Sequence, residues 1–166
     1  MTTTAKNRIV RTIAQNSVFE DITSFVTSSS TFNQGDLMVL DTSTHLVRIA
    51  TTESSDSANF LGISRVTVVN GVPQGPYQGL ATSNNTAIGA IPGPVFGVEA
   101  AMLLKLNDVF LPGIPVYLIV SSGAQTVAIS GTNPIGCYNG PAITGSAINT
   151  GNIRLGCVYQ KGALNF

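Results

Sequence analysis

Gly35-Asp36-Leu37-Met38-Val39-Leu40, then Leu46-Val47-Arg48-Ile49, then Phe60-Leu61-Gly62-Ile63: this run of three short segments occurs twice in the chain. Its second occurrence reads Gly113-Ile114-Pro115-Val116-Tyr117-Leu118, Thr126-Val127-Ala128-Ile129 and Pro134-Ile135-Gly136-Cys137. Each copy is a glycine turn into a strand, a polar hairpin into a second strand, a variable loop, and a third strand carrying Gly at its centre. In the first copy Leu46, Arg48 and Ala50 point one way and His45, Val47 and Ile49 the other, as strand alternation requires. Two such units in 166 residues predict an all-β chain with an internal pseudo-repeat. The copies differ in their last loop, which is long from Thr51 to Asn59 and short from Gly131 to Asn133.

Outside the repeat the signals change. Residues 1–31 read as an extended N-terminal arm or strand, basic at its start and containing Phe19, Ile22, Phe25 and Val26 at a spacing that also suits a short helical turn. Residues 32–166 read as the folded domain. Leu61 to Val69 is rich in β-branched residues and ends at Asn70-Gly71, a strong turn signal. Residues 71–95 are heavy in Gly, Pro and Asn, a connection long enough to make contacts of its own. Val95 to Leu106 is ambiguous, since Glu99-Ala100-Ala101-Met102-Leu103-Leu104-Lys105 has high helix propensity. Pro92, Pro94, Gly97 and Pro112-Gly113 bracket it, and a strand with a bulge near Gly97 is the preferred reading.

Composition narrows the function. Hydrophobic residues make up 43% of the chain, a normal globular share, but charged residues only 10%, against about 25% in an average domain. Such a surface suits a chain that is covered by other protein. Eight basic and eight acidic residues leave no net charge, so attraction to phosphate backbones is weak and no nucleic-acid partner is expected. No apolar run is long enough to cross a bilayer as a helix, and no membrane partner is expected. With no export signal at the start, synthesis in the cytoplasm is the expectation. Cys137 and Cys157 sit in matching Ile-Gly-Cys and Leu-Gly-Cys contexts and could bridge neighbouring strands. Two buried thiols are the preferred reading, and without a partnering His they make no zinc site.

Reacting groups are sparse. His45 beside the hairpin is read as a solvent-facing residue, and Asp41 is its one plausible partner as an acid–base pair. Asp36 and Asp41 lie five residues apart on an extended segment and face opposite sides, so Asp36 is assigned to backbone hydrogen bonding in the turn. No phosphate loop or calcium loop is present, and neither catalysis nor a cofactor is expected.

The order Gly-Asp-Leu-Met-Val-Leu, Leu-Gly-Ile-Ser, Val-Phe-Gly-Val-Glu, Leu-Pro-Gly-Ile-Pro-Val-Tyr, Ile-Gly-Cys and Asn-Ile-Arg-Leu-Gly-Cys-Val resembles the head decoration, or cement, proteins of tailed bacteriophages. The likeness runs from about Phe32 to Tyr159. Two departures stand out: Gly113-Ile114-Pro115 replaces the second Gly-Asp, and Phe96-Gly97-Val98-Glu99 replaces a Gly-Val-Phe strand. The resemblance implies a small β-barrel or β-tulip-like domain, a homotrimer, and a position on the outer capsid surface of the virion. The major capsid protein would be the partner, cemented against the pressure of packaged DNA. The alternation of Lys6, Arg8 and Arg11 with Asn7, Ile9 and Val10 suits an extended segment laid on an acidic surface. Phe19 and Phe25 would be its apolar anchors and Tyr77 a further contact; a solvated tail, with the two Phe in the domain core, is the other reading. A receptor- or glycan-binding head-fibre or tail module is the alternative, with residues 71–95 bearing the ligand.

Overall fold

The computed structural model describes residues 7–12, 23–27, 29–51, 56–75, 88–92, 94, 97–121 and 123–156. β1 (Arg8–Thr12) and β2 (Thr23–Thr27) precede the first repeat, which supplies β3 (Leu37–Leu40), β4 (Val47–Ile49) and β5 (Phe60–Ile63). A short hairpin of β6 (Val68–Val69) and β7 (Val72–Pro73) follows, then β8 (Ile88–Pro92) and β9 (Val98–Leu103). β10 (Val109–Phe110) leads into the second repeat, β11 (Pro115–Ser121), β12 (Ala124–Ala128) and β13 (Pro134–Tyr138). β14 (Ile143–Thr144) and β15 (Thr150–Leu155) complete the described strands. The protein is all-β, and no α-helix occurs among the described residues.

The pseudo-repeat holds to the residue. In both copies the first strand is central, flanked by the second and third, giving β4-β3-β5 and β12-β11-β13. Met38 faces Gly62 as Val116 faces Gly136, and the register slips by one immediately afterwards in both. The turn bonds match too. Gly35 N–H donates to Ser64 O at 2.9 Å and Ser64 N–H to Asp36 O at 2.8 Å. Gly113 N–H donates to Tyr138 O at 2.8 Å and Tyr138 N–H to Ile114 O at 2.9 Å. Gly35 and Gly113 share the left-handed backbone this turn needs, with φ of 95° and 82°. Gly136 has a packing reason of its own: a Cβ there would lie 2.5 Å from the Arg154 carbonyl oxygen on the neighbouring strand.

Three layers result. The second repeat is the end of a six-stranded antiparallel sheet, ordered β1-β9-β15-β13-β11-β12. Its inner face supplies Val98, Ala100, Met102, Val116, Leu118, Val127, Ile153 and Leu155 to the main core. The first repeat lies over that face and contributes Leu37, Val39, Ala50 and Ile63. Its opposite face carries Met38 and Val47 into a second core, closed by Val26 of β2, Ile91 of β8, Val68 of β6 and Phe32. The first repeat is therefore buried on both sides, which is why β3 reads Leu-Met-Val-Leu with no polar alternation.

The expected barrel takes a different form. The described strands fall into five sheets, and the largest does not close by continuous pairing. Its two sides meet at one parallel bridge, Leu104 to Val127, where Lys105 N–H donates to Val127 O at 2.8 Å. Asn7 stitches the same seam. Its Oδ1 accepts from Leu103 N–H at 2.7 Å and its Nδ2 donates to Gln125 O at 3.2 Å. Gln125 joins the two repeats. Its side chain accepts from Leu37 N–H at 2.7 Å and donates to Leu37 O at 2.9 Å and Ala50 O at 3.2 Å. At the equivalent position of the second repeat stands Pro115, which has no N–H to satisfy.

Other expectations change in detail. The 95–106 segment is a strand, as preferred, and begins at Val98 after Gly97 at φ 73°. The single strand expected over 61–69 is broken after Ile63. There Ser64 Oγ donates to Val66 O at 2.8 Å and accepts from Val66 N–H, turning the chain so that Val66 and Val68 enter the second core. The last strand begins at Thr150 and stops at Leu155, where Gly156 adopts φ 83°. Within the stretch read as an arm, Arg8–Thr12 pairs with β9 and Thr23–Thr27 with β8. The connection over 71–95 carries β7 near its start and β8 near its end.

Replacing Gln125 by Leu keeps bulk but orphans Leu37 N–H and Ala50 C=O. The expected cost is about 2–4 kcal/mol, seen as a fall in Tm of about 5–10 °C. A fall of less than about 2 °C would show that the link between the repeats is dispensable.

Candidate interaction surfaces

Three of the six residues expected at contacts lie among the described ones. Arg8 is exposed on β1, the edge of the large sheet. Arg11 on the same strand stands in register with Glu99, a buried carboxylate. Phe25 on β2 is 50% exposed while its neighbour Val26 is fully buried, so strand alternation turns one side chain inward and the other outward. Lys6, Phe19 and Tyr77 lie outside the described residues. Arg8 and Phe25 belong to different sheets, and no described bond brings them together.

The hairpin has the character expected of a turn. Asp41 Oδ1 accepts from Ser43 Oγ at 2.6 Å, Ser43 N–H at 2.8 Å and Thr44 N–H at 3.2 Å. Those bonds, the Ser43 hydroxyl first, lower its carboxyl from 3.8 to about 2. Such a group is a poor base at neutral pH. His45 is exposed and sits in the turn at φ 57°, its backbone N–H on Asp41 O at 2.8 Å. Asp36 accepts from Asn33 N–H at 2.7 Å, as assigned. Among the described residues no group of three His, Cys, Asp or Glu is placed to hold a metal.

Two features escaped the sequence reading. The first is Asp56, 2% exposed, in the long loop of the first repeat. It binds Arg48 in a bidentate pair at 2.6 and 3.0 Å and accepts from Thr51 N–H at 2.6 Å. Arg48 corresponds to Ala128 in the second copy, where the loop is too short to need tying.

The second feature is an apolar rim. Leu106, Val109, Leu111, Ile129 and Ile148 are exposed, Ile148 to 79%. Backbone bonds gather their segments around residues 104–111. Asn107 N–H donates to Gly145 O at 3.0 Å and Gly145 N–H to Asp108 O at 2.8 Å. Ile129 N–H donates to Asp108 Oδ2 at 3.0 Å, and Leu104 N–H to Asn149 O at 3.3 Å, next to Ile148. On β10, Phe110 points inward onto Tyr138, ring centroids 5.6 Å apart, which turns Val109 outward. The available signal was a run of Leu, Val and Phe either side of the polar Asn107-Asp108 pair. Strand parity alone could not say which of those residues faced out.

The preferred pair of thiols is corrected by the structure: Cys137 is disulfide-bonded. It sits half-buried in β13, and Cys157 lies outside the described residues. No family model matches the chain, and no curated protein or solved structure matches it either.

The Asp41 bonds stabilise the turn with a definite sign. A carboxyl whose folded value is depressed contributes its full stability above about pH 4 and loses it as pH falls toward about 2. Asp41→Asn should remove this acid-limb dependence, and a carboxyl NMR titration of Asp41 near 3.8 would contradict the bonding described. Asp56→Ala should cost about 1–3 kcal/mol and loosen Thr51, read by denaturant unfolding and by hydrogen exchange at its amide.

Proposed function

We propose that this chain is a non-enzymatic cement subunit of a phage head, binding the outer capsid surface as a homotrimer and holding neighbouring major capsid proteins together. The observation that carries the reading is the rim of exposed Leu106, Val109, Leu111, Ile129 and Ile148 on a chain with few charges. Five large apolar side chains exposed on segments that hydrogen bonds draw together exceed the scattered exposure normal on a monomer's surface. Interface cores are depleted in charge in the same way. The three-layer all-β scaffold supports the rim rigidly through the bonds around Asp108, and the sparse, turn-bound carboxylates favour a structural role over a chemical one.

Binding would be additive. Each subunit contributes part of a standard interface of about 1,600 Å², and a trimer touching several capsid subunits gains avidity without new contacts.

Purified protein added to expanded, undecorated capsids of the virus that encodes it should bind and raise their melting temperature, and should not bind intact host cells. Failure to bind capsids, or binding to cells instead, would overturn the cement reading. Leu106→Asp combined with Ile148→Asp should weaken capsid binding by about tenfold or more. Because both side chains are exposed, the free protein's Tm should hold within about 2 °C.

A further inference from the structure

We propose that Asn139 is a self-modifying site, where the side-chain amide closes onto the backbone nitrogen of Gly140 and is hydrolysed to aspartate and isoaspartate. Asn-Gly occurs in the chain as Asn70-Gly71 and as Asn139-Gly140. Glycine presents the least hindered backbone nitrogen, because it has no side chain to shield it. What separates the two pairs is whether that nitrogen is already engaged.

Asn70-Gly71 forms the turn between β6 and β7, and the fold holds it shut. Both residues take left-handed backbone, with φ of 50° and 75°, the geometry of a tight hairpin turn. Gly71 is buried and its N–H donates to Ser30 O at 2.9 Å. Asn70 N–H donates to Thr31 Oγ1 at 3.2 Å. Attack by the Gly71 nitrogen would have to break a buried hydrogen bond first.

Asn139-Gly140 follows β13 and is built differently. Asn139 is exposed, its own N–H on Asn152 O at 2.7 Å. Gly140 is half-buried, and its N–H donates no hydrogen bond among the described residues. Nothing there has to open before the nitrogen reaches Asn139 Cγ. Packing also demands the glycine: a Cβ at 140 would lie 2.5 Å from the Tyr138 hydroxyl oxygen. The residue that makes the pair reactive is thus the one the fold requires.

The chemistry needs only water. The Gly140 nitrogen gives its proton to solvent base and bonds to Asn139 Cγ, and the Cγ–Nδ2 bond breaks to release ammonia. Water then opens the cyclic imide. Opening at Cγ leaves aspartate, and opening at the main-chain carbonyl leaves isoaspartate, whose main chain is longer by one carbon. Either product adds one negative charge to a chain of zero net charge. The extra carbon falls between Tyr138 and Pro141, the span closed by the Tyr138 hydroxyl donating to Pro141 O at 2.7 Å. Isoaspartate therefore slackens the ring that packs on Phe110 behind the apolar rim.

The test incubates full-length folded protein at mildly alkaline pH and physiological temperature and follows conversion by peptide mapping, each converted site being about 1 Da heavier. Asn139 should convert at least about tenfold faster than Asn70, and the two rates should converge in denaturant, where both glycine nitrogens are free. Equal rates in the folded protein, or a faster Asn70, would overturn the proposal. So would a gap that persists in denaturant, since local sequence and not the fold would then set it. Asn139→Gln should remove the acidic species that accumulates on isoelectric focusing, and its persistence would count against the site. Isoaspartate-containing protein should melt below Asn139→Asp, which adds the charge without the extra carbon. Equal melting would overturn the slackening of Tyr138.

Discussion

One buried amide holds this fold together. Gln125 reaches from the last strand of the large sheet to Leu37, 88 residues earlier, and fills the place at the end of the β3–β4 ladder where Leu37 N–H and Ala50 C=O would otherwise meet. Its own backbone oxygen accepts from Asn7, whose side-chain oxygen accepts in turn from Leu103 N–H. A single chain of hydrogen bonds thus links the first repeat, the second repeat, the seam of the large sheet and the N-terminal strand. Apolar burial supplies the larger share of the stabilisation, but it is non-directional. The amides decide the register in which the layers meet, because any slip would leave buried donors and acceptors unpaired.

The repeat explains what was legible in the sequence. Gly35 and Gly113, Gly62 and Gly136, and the apolar runs between them are local signals, and each repeat is a local object: a hairpin plus one more strand. Its strands therefore lie close to where the pattern puts them. What joins the repeats is not local. Gln125 is one glutamine among polar hairpin residues until the fold brings Leu37 to it. Likewise Asp56 is an unremarked acid in a polar loop until Arg48 turns toward it. The broken strand after Ile63 depended on the hydroxyl of Ser64 satisfying Val66, a choice that a β-branched run conceals. The barrel expectation foundered on the seam, where a parallel bridge and one asparagine stand in for a continuous ladder.

The candidate contact surface was less legible than the fold, for a related reason. Low charge predicted that something covers this chain, but not where. Position on β10 and the bonds around Asp108 decide that Val109 faces out while Phe110 faces Tyr138. The rim of Leu106, Leu111, Ile129 and Ile148 draws on three separate segments. Only the backbone bonds that gather those segments make them one surface.

Backbone hydrogen exchange at Leu37 and Leu103 tests the central constraint most directly, because both amides donate to side chains rather than to a ladder. If the Gln125–Asn7 chain governs how the layers meet, both should exchange at one rate, that of global unfolding, in the native protein. Exchange at Leu37 faster by orders of magnitude than at Met38 or Val39 would contradict it, showing that the first repeat opens from the large sheet without disturbing the rest.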